Sequence, residues 1–280
     1  MMTYKTVLVH IDDTPASTVR SRIAAMLAQQ FDSHLVATAL TGLSHYIFEA
    51  SHIAMGDPNI AHHLTLLRQR AERAVTQFQL EMQGVELLSI ESGISNDDAN
   101  GGMGLRARYA DLLIIGQTDR NQLSPSVMSD FPEYMLVHSG RPVLIIPHTG
   151  SFDQIGKKVL LAWDASREST RALMDALPLL KRSELVHVLI VNPAQEPERH
   201  GQEPGTDIAL FLARHGVKVE VCTRDSSHEV GEIILKTAGK KSCDLIVMGA
   251  YGHSRFREMI MGGVSRTILE KMHIPVLMSH

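Results

Sequence analysis

The residues best suited to chemistry lie near the end of the chain, in GAYGHSRFREMIMGG, Gly249 to Gly263. Glycines there follow the pattern Gly-x2-Gly-x9-Gly at Gly249, Gly252 and Gly262, with a fourth at Gly263. Gly262 and Gly263 stand directly before VSRTILEKM, which reads as a helix. A helix start presents free N–H groups and a partial positive charge, a ready seat for phosphate. Glycine there removes the Cβ atoms that would hold a phosphate away. Ser254 and Ser265 add hydroxyls, and His253, Arg255 and Arg257 add donors or charge. Asp164, at the end of an apolar run, could accept hydrogen bonds from a base or ribose. The spacing is neither that of the P-loop nor that of the dinucleotide fingerprint. The plain alternative is that these glycines only shape a turn and a helix cap.

Other chemistries find less support. A hydrolase needs a nucleophile within reach of a base, and the adjacent pair His253 and Ser254 is poorly placed for that. There is no Gly-x-Ser-x-Gly elbow. Asp164 and Glu258 could assist a magnesium ion but make no evident carboxylate set, so efficient catalysis is not indicated. His45, His52, His62 and His63 lie in one segment without the spacing of a closed zinc site. Cys222 and Cys243 form no disulfide framework and read as packing residues. Net charge is −4 with a pI of about 6.4, which argues against a nucleic-acid footprint. No apolar run approaches the length of a membrane span, and the N-terminus lacks the marks of a signal peptide. A reducing cytoplasm fits best.

The elements that must position these residues occur twice. YKTVLVHIDDTPAS resembles GKKVLLAWDASRES at an offset of 152, which lays Asp12 on Asp164. ADLLIIGQTD resembles CDLIVMGAYG at an offset of 133, and the same offset lays RPVLIIP on IPVLMSH. Each half alternates short strand-like runs with helical stretches; VELLSIESG and VKVEVCTRD read as the third strands, and a further helix leads from each to DLLIIG or DLIVMG. That order predicts a parallel sheet covered on both faces, a doubly wound α/β domain. Ligands in such sheets sit beyond the C-terminal strand ends, near the switch in strand order. The polar, turn-rich segment Pro147–Lys158 is the expected boundary, giving domains at 1–148 and 155–280.

DLIVMGAYGHSRFREMIMGGVSRTILEKMHIPVLM resembles the C-terminal signature of the universal stress protein family. The run Val159 to Asp164, followed by Ser166 and Ser169, resembles that family's first strand, and HEVGEIILKTAGKKSCDLIVMG resembles its later part. The resemblance extends over nearly the whole chain as two tandem copies. It implies two five-stranded parallel α/β domains of the nucleotide α-hydrolase-like kind, paired through their last strands, Pro142–Ile146 and Pro275–Met278, with room for a homodimer. It also implies ATP or another adenine nucleotide as ligand, with magnesium accompanying it, and a role in stress tolerance through ligand-linked signalling. A slow ATPase and a nucleotide-free interaction protein are the competing readings.

Gly249, Gly252 and Gly262 match the glycines of the family's ATP-binding branch, and His253 lies within that loop. Gly263 stands where the family has Ser or Thr, so one hydroxyl is missing while its N–H remains. Val264 and Ser265 continue the helix start. Asp164 matches the acidic residue at the adenosine end, and Val191 the apolar neighbour of the base, with Ile190 the alternative if the alignment slips. The first half departs from this pattern. Asp119, Ser129 and Asp130 replace the second glycine, the third and its neighbour. At ~4 Å each like-charge pair costs from about 1 kcal/mol in water to several at intermediate dielectric. The first half is therefore expected not to bind ATP in the family's usual way.

Overall fold

The computed structural model describes residues 3–42, 58–122, 124, 126–195, 197–200, 202–251 and 263–280. The chain forms two compact units, Thr3–Ser151 and Phe152–His280.

In the first unit β1 (Thr6–Ile11), β2 (His34–Leu40), β3 (Ser89–Ser95), β4 (Leu112–Gly116) and β5 (Val143–Ile146) lie in the order β3-β2-β1-β4-β5. All four neighbouring pairs are parallel. The helices are α1 (Pro15–Phe31), α2 (Pro58–Glu81), the single turn α3 (Leu105–Ala107) and α4 (Phe131–His138). Pro15 opens α1, where its fixed φ suits the helix and its missing N–H costs nothing.

The second unit repeats the arrangement. Strands β6 (Lys158–Ala162), β7 (Leu185–Val191), β8 (Val219–Arg224), β9 (Leu245–Gly249) and β10 (Val276–Ser279) lie in the order β8-β7-β6-β9-β10, again all parallel. Its helices are α5 (Arg167–Leu180), α6 (Pro197–His200), α7 (Thr206–Arg214), α8 (Val230–Lys240) and α9 (Gly263–Lys271). Val7 faces Leu112 and Val159 faces Leu245, so both sequence offsets hold in the register of the sheets.

Central strands are buried on both faces, which is why they read as continuous apolar runs rather than alternating ones. Val7, Val9, Leu112, Leu113 and Ile114 are fully buried in the first unit, as are Val159, Leu160, Leu245 and Ile246 in the second. In each sheet the first strand (β1 or β6) lies between the second and the fourth, so the order switches beside it. The loops after β6 and β9 therefore flank one crevice, as do those after β1 and β4.

The edges differ from the sequence expectation. VELLSIESG was expected as a strand, but β3 begins only at Ser89, paired with His34, and Leu88 is exposed. An edge strand has one open side, so the apolar pattern fixes its register weakly. The helix expected between β3 and β4 is a π-type turn, Ala99–Gly104, and the single turn α3; α8 fills the corresponding place in the second unit. Gly101 and Gly102 interrupt the first of these, and glycine weakens a helix interior.

Candidate functional site

In the second unit the loop after β6 is tightly fixed. Asp164 Oδ1 accepts from the Ser166 backbone N–H at 3.0 Å and from its hydroxyl at 2.6 Å. Ser166 caps α5, its oxygen accepting from Ser169 N at 3.1 Å, and Ala165 takes a positive φ of 56° to close the turn. Asp164 remains half-buried at the crevice. Next to it lies a mostly apolar cleft of about 300 Å³. Trp163, Ala165 and Leu173 form one side, Ile208 and Phe211 of α7 the other, and Arg199 and Asp207 add charges of opposite sign. That volume is at the lower end of small-molecule sites.

Val191 ends β7 half-buried, whereas Ile190 is fully buried, so of the two only Val191 has surface to offer. Neither lines the apolar cleft. Asn192 follows in the left-handed region and clasps the loop after β8, its side chain bonding both the carbonyl and the N–H of Ser226.

Gly249 is a glycine for packing. A Cβ there would come within 2.6 Å of the Glu168 carbonyl carbon and of Ser169 N, the first turn of α5. Gly263 is different. It opens α9, is exposed, and a Cβ would meet only Glu229 Oε1, at 3.8 Å. Glu229 itself accepts a short hydrogen bond from the Thr267 hydroxyl. Val264 is half-buried and Ser265 buried. Ser265 Oγ accepts from Tyr251 N at 3.3 Å, tying the loop after β9 to α9 and leaving the hydroxyl proton for another acceptor. Thus the crevice gathers Asp164, Gly249, Val264 and Ser265 from three elements. Gly252, His253 and Gly262 lie outside the described residues, as do His45 and His52. His62 and His63 are exposed on α2. Among the described residues no group of three His, Cys, Asp or Glu side chains could hold a metal. Burial pushes the Cys243 thiol up to about 11, which suits a packing role.

The crevice of the first unit is built from other side chains. Arg20 and Asp12 form a 2.9 Å ion pair, only 4% and 10% exposed. Arg20 Nε also donates to the His10 carbonyl at 3.1 Å. A Cβ on Gly116 would lie 2.5 Å from an Arg20 terminal nitrogen, so the glycine makes room for the guanidinium. Burial raises the Asp12 pKa, but the charge of Arg20, helped by His10 and Thr14, outweighs it and holds the carboxyl at about 2. His10 is buried against Phe131, ring centres 5.0 Å apart, and burial lowers its pKa to about 4. Gln117 accepts from His148 N at 3.2 Å and lies 2.8 Å from its Nδ1.

Sequence reasoning did not single out Arg20, His10, Gln117 or His148, nor the apolar cleft. One signal was present. At the two offsets His10, Arg20, Gln117 and Phe131 fall on Ala162, Ala172, Ala250 and Val264. Four positions that are small in one half carry polar or aromatic side chains in the other.

The sequence model of the universal stress protein family matches residues 156–280. The second half is a universal stress protein domain. Universal stress protein Slr1230 of Synechocystis is 30% identical over 138 residues, 49% of this chain and 46% of that protein. The chain thus spans about half the length of this relative. Universal stress protein MJ0531 of Methanocaldococcus jannaschii is 25% identical over 144 residues, 45% of this chain and 82% of that protein. The crystal structure of a universal stress protein from Archaeoglobus fulgidus superposes with a TM-score of 0.71 at 16% identity, covering 98% of this chain and 97% of that one. At such identity the match speaks for the fold, and it does so along both halves. No described helix is long and apolar enough to cross a membrane.

Proposed function

We propose that the universal stress protein domain of this chain binds ATP or a related adenine nucleotide, and that the first half does not. The observation that carries this reading is the contrast at the two crevices. The acidic residue after the first strand is ion-paired to a buried arginine in the first half, Asp12 to Arg20. In the second half that arginine is replaced by Ala172, and Asp164 stands half-buried beside an apolar cleft of about 300 Å³.

In this reading the cleft between α5 and α7 receives the base, and Asp164 accepts from the ribose or base. Phosphates meet the start of α9, where the N–H groups of Gly263, Val264 and Ser265 and the Ser265 proton are donors. Gly263 presents no side chain that would obstruct them. Magnesium would accompany the nucleotide's phosphates. In this reading the role is ligand-linked signalling in stress tolerance, with nucleotide stabilising the form that binds it. The test is nucleotide retained on purification, followed by calorimetry. One site per chain, weakened by Asp164→Ala, is expected; no binding of ATP, ADP or AMP would overturn the reading.

A further inference from the structure

The start of the loop after β9 is clasped in a way that the first half does not repeat. Tyr251 takes a φ of 60°, left-handed backbone that a bulky residue rarely adopts. Its N–H donates to Ser265 Oγ at 3.3 Å. One residue earlier, the Ala250 carbonyl lies 3.1 Å from His280 Nδ1, and the Ala250 N–H donates to the Ser279 carbonyl at 2.8 Å. A carbonyl only accepts, so Nδ1 carries the proton there. The His280 ring also meets the Tyr251 ring edge-on, centres 5.9 Å apart. Ser279 is fixed in turn, its hydroxyl donating to Asp175 at 2.9 Å. At the offset of 133, Ala250, Tyr251, Ser265 and His280 fall on Gln117, Thr118, Pro132 and Pro147. The first half thus makes the same strand order without the hydroxyl or the imidazole at these positions, and with Thr118 outside the left-handed region. The clasp is not a requirement of the fold.

We propose that His280 is a positioning residue for the phosphate end of the second-half site. This rests on the nucleotide reading above. His280 holds Ala250 through Nδ1 and Tyr251 through its ring. Tyr251 in turn occupies one lone pair of Ser265 with its N–H, which leaves the Ser265 proton to a phosphate. Ser265 is the third residue of α9, where the helix start already favours an anion. Strained backbone persists only where its surroundings over-determine it, and it collects at ligand clamps. Tyr251 is determined from two sides, by Ser265 of α9 and by His280 after β10. A loop fixed before the ligand arrives has less freedom to lose on binding, so the clasp acts on affinity by preorganisation.

ATP calorimetry on the full chain tests this, beside hydrogen exchange of the Tyr251 amide. His280→Ala and His280→Phe should both speed that exchange. Both should weaken ATP binding about two- to tenfold, the contribution of one hydrogen bond, with the melting temperature nearly unchanged. His280→Phe keeps a ring against Tyr251, so a loss shared by both variants belongs to the Nδ1 bond. His280→Asn, whose amide N–H stands close to the place of Nδ1–H, should restore both readouts. In a Ser265→Ala background His280→Ala should add little, because the two residues act as a unit. Additive losses, Tyr251 exchange unchanged by His280→Ala, or ATP affinity unchanged by it in a parent that binds ATP would overturn the proposal and leave the nucleotide reading standing. Absence of ATP, ADP and AMP binding by the parent would overturn that reading, and this proposal with it.

Discussion

The guanidinium of Arg20 lies 2.9 Å from the carboxylate of Asp12, and both are almost out of reach of water. Removing one member of a buried pair leaves an uncompensated charge, which costs about 3–5 kcal/mol. Arg20→Ala should therefore destabilise the first half by roughly that amount. Adding Asp12→Asn should recover much of the loss, because no buried charge is then left alone. Hydrogen exchange over residues 3–151 reads this separately from the second half. Equal protection in the parent and Arg20→Ala would mean that water already compensates the pair.

Acid should weaken the first half in two stages. The folded-state pKa of His10 is about 4 against an ordinary 6.5, so the unfolded chain takes up the proton first as pH falls. Its contribution is complete above about 6.5 and is lost between 6.5 and 4, on the order of 3 kcal/mol in total. Asp12 falls from an ordinary 3.8 to about 2, so its contribution is present above 3.8 and disappears as pH drops towards 2. Denaturant unfolding of the parent and His10→Phe at several pH values isolates the first stage. The stability difference between them should change between pH 6.5 and 4 and stay level above 7; a constant difference would contradict it.

Two glycines of the crevice should answer oppositely to a side chain. At Gly249 a Cβ would meet backbone atoms of α5 at 2.6 Å, so Gly249→Ala should cost about 1–3 kcal/mol by overpacking. Trp163, the single tryptophan, lies in the same half and reports the loss by fluorescence. At Gly263 there is room, and the backbone is outside the left-handed region.

Gly263→Ser should thus leave the melting temperature nearly unchanged and tighten ATP binding, by about tenfold or more if its hydroxyl reaches a phosphate. The competing acceptor is Glu229, whose Oε1 would lie 3.8 Å from the new Cβ and also accepts from Thr267. Weaker ATP binding with an intact fold would show that the loop's geometry depends on glycine here.

The nucleotide reading predicts that Gly262→Val abolishes ATP binding, whereas Ser129→Val, its counterpart at the offset of 133, does little. Calorimetry on both variants checks the pair, and equal losses would place a phosphate at both crevices.

Much of the fold was legible because strands buried on both faces leave uninterrupted apolar runs, as in VLVHI and LLIIG, and because the halves repeat at fixed offsets. The edge strand β3 was misplaced by several residues, since polar SIESGIS carries little information on register. The position of Asp164 at the crevice was legible from its place after an apolar run. The Arg20–Asp12 pair was not, since eight residues separate them in sequence and only the start of α1 folding back over β1 brings them together. The reason for Gly249 was also hidden, because a close helix approach leaves the same glycine as a ligand would.

The most direct test of the central claim is the stoichiometry of ATP binding to the full chain, measured by calorimetry on the parent and on Asp164→Ala. One site per chain, weakened at least several-fold by Asp164→Ala, is the predicted result. Two sites per chain, or a single site that is untouched by Asp164→Ala and lost with Asp12→Ala, would contradict it.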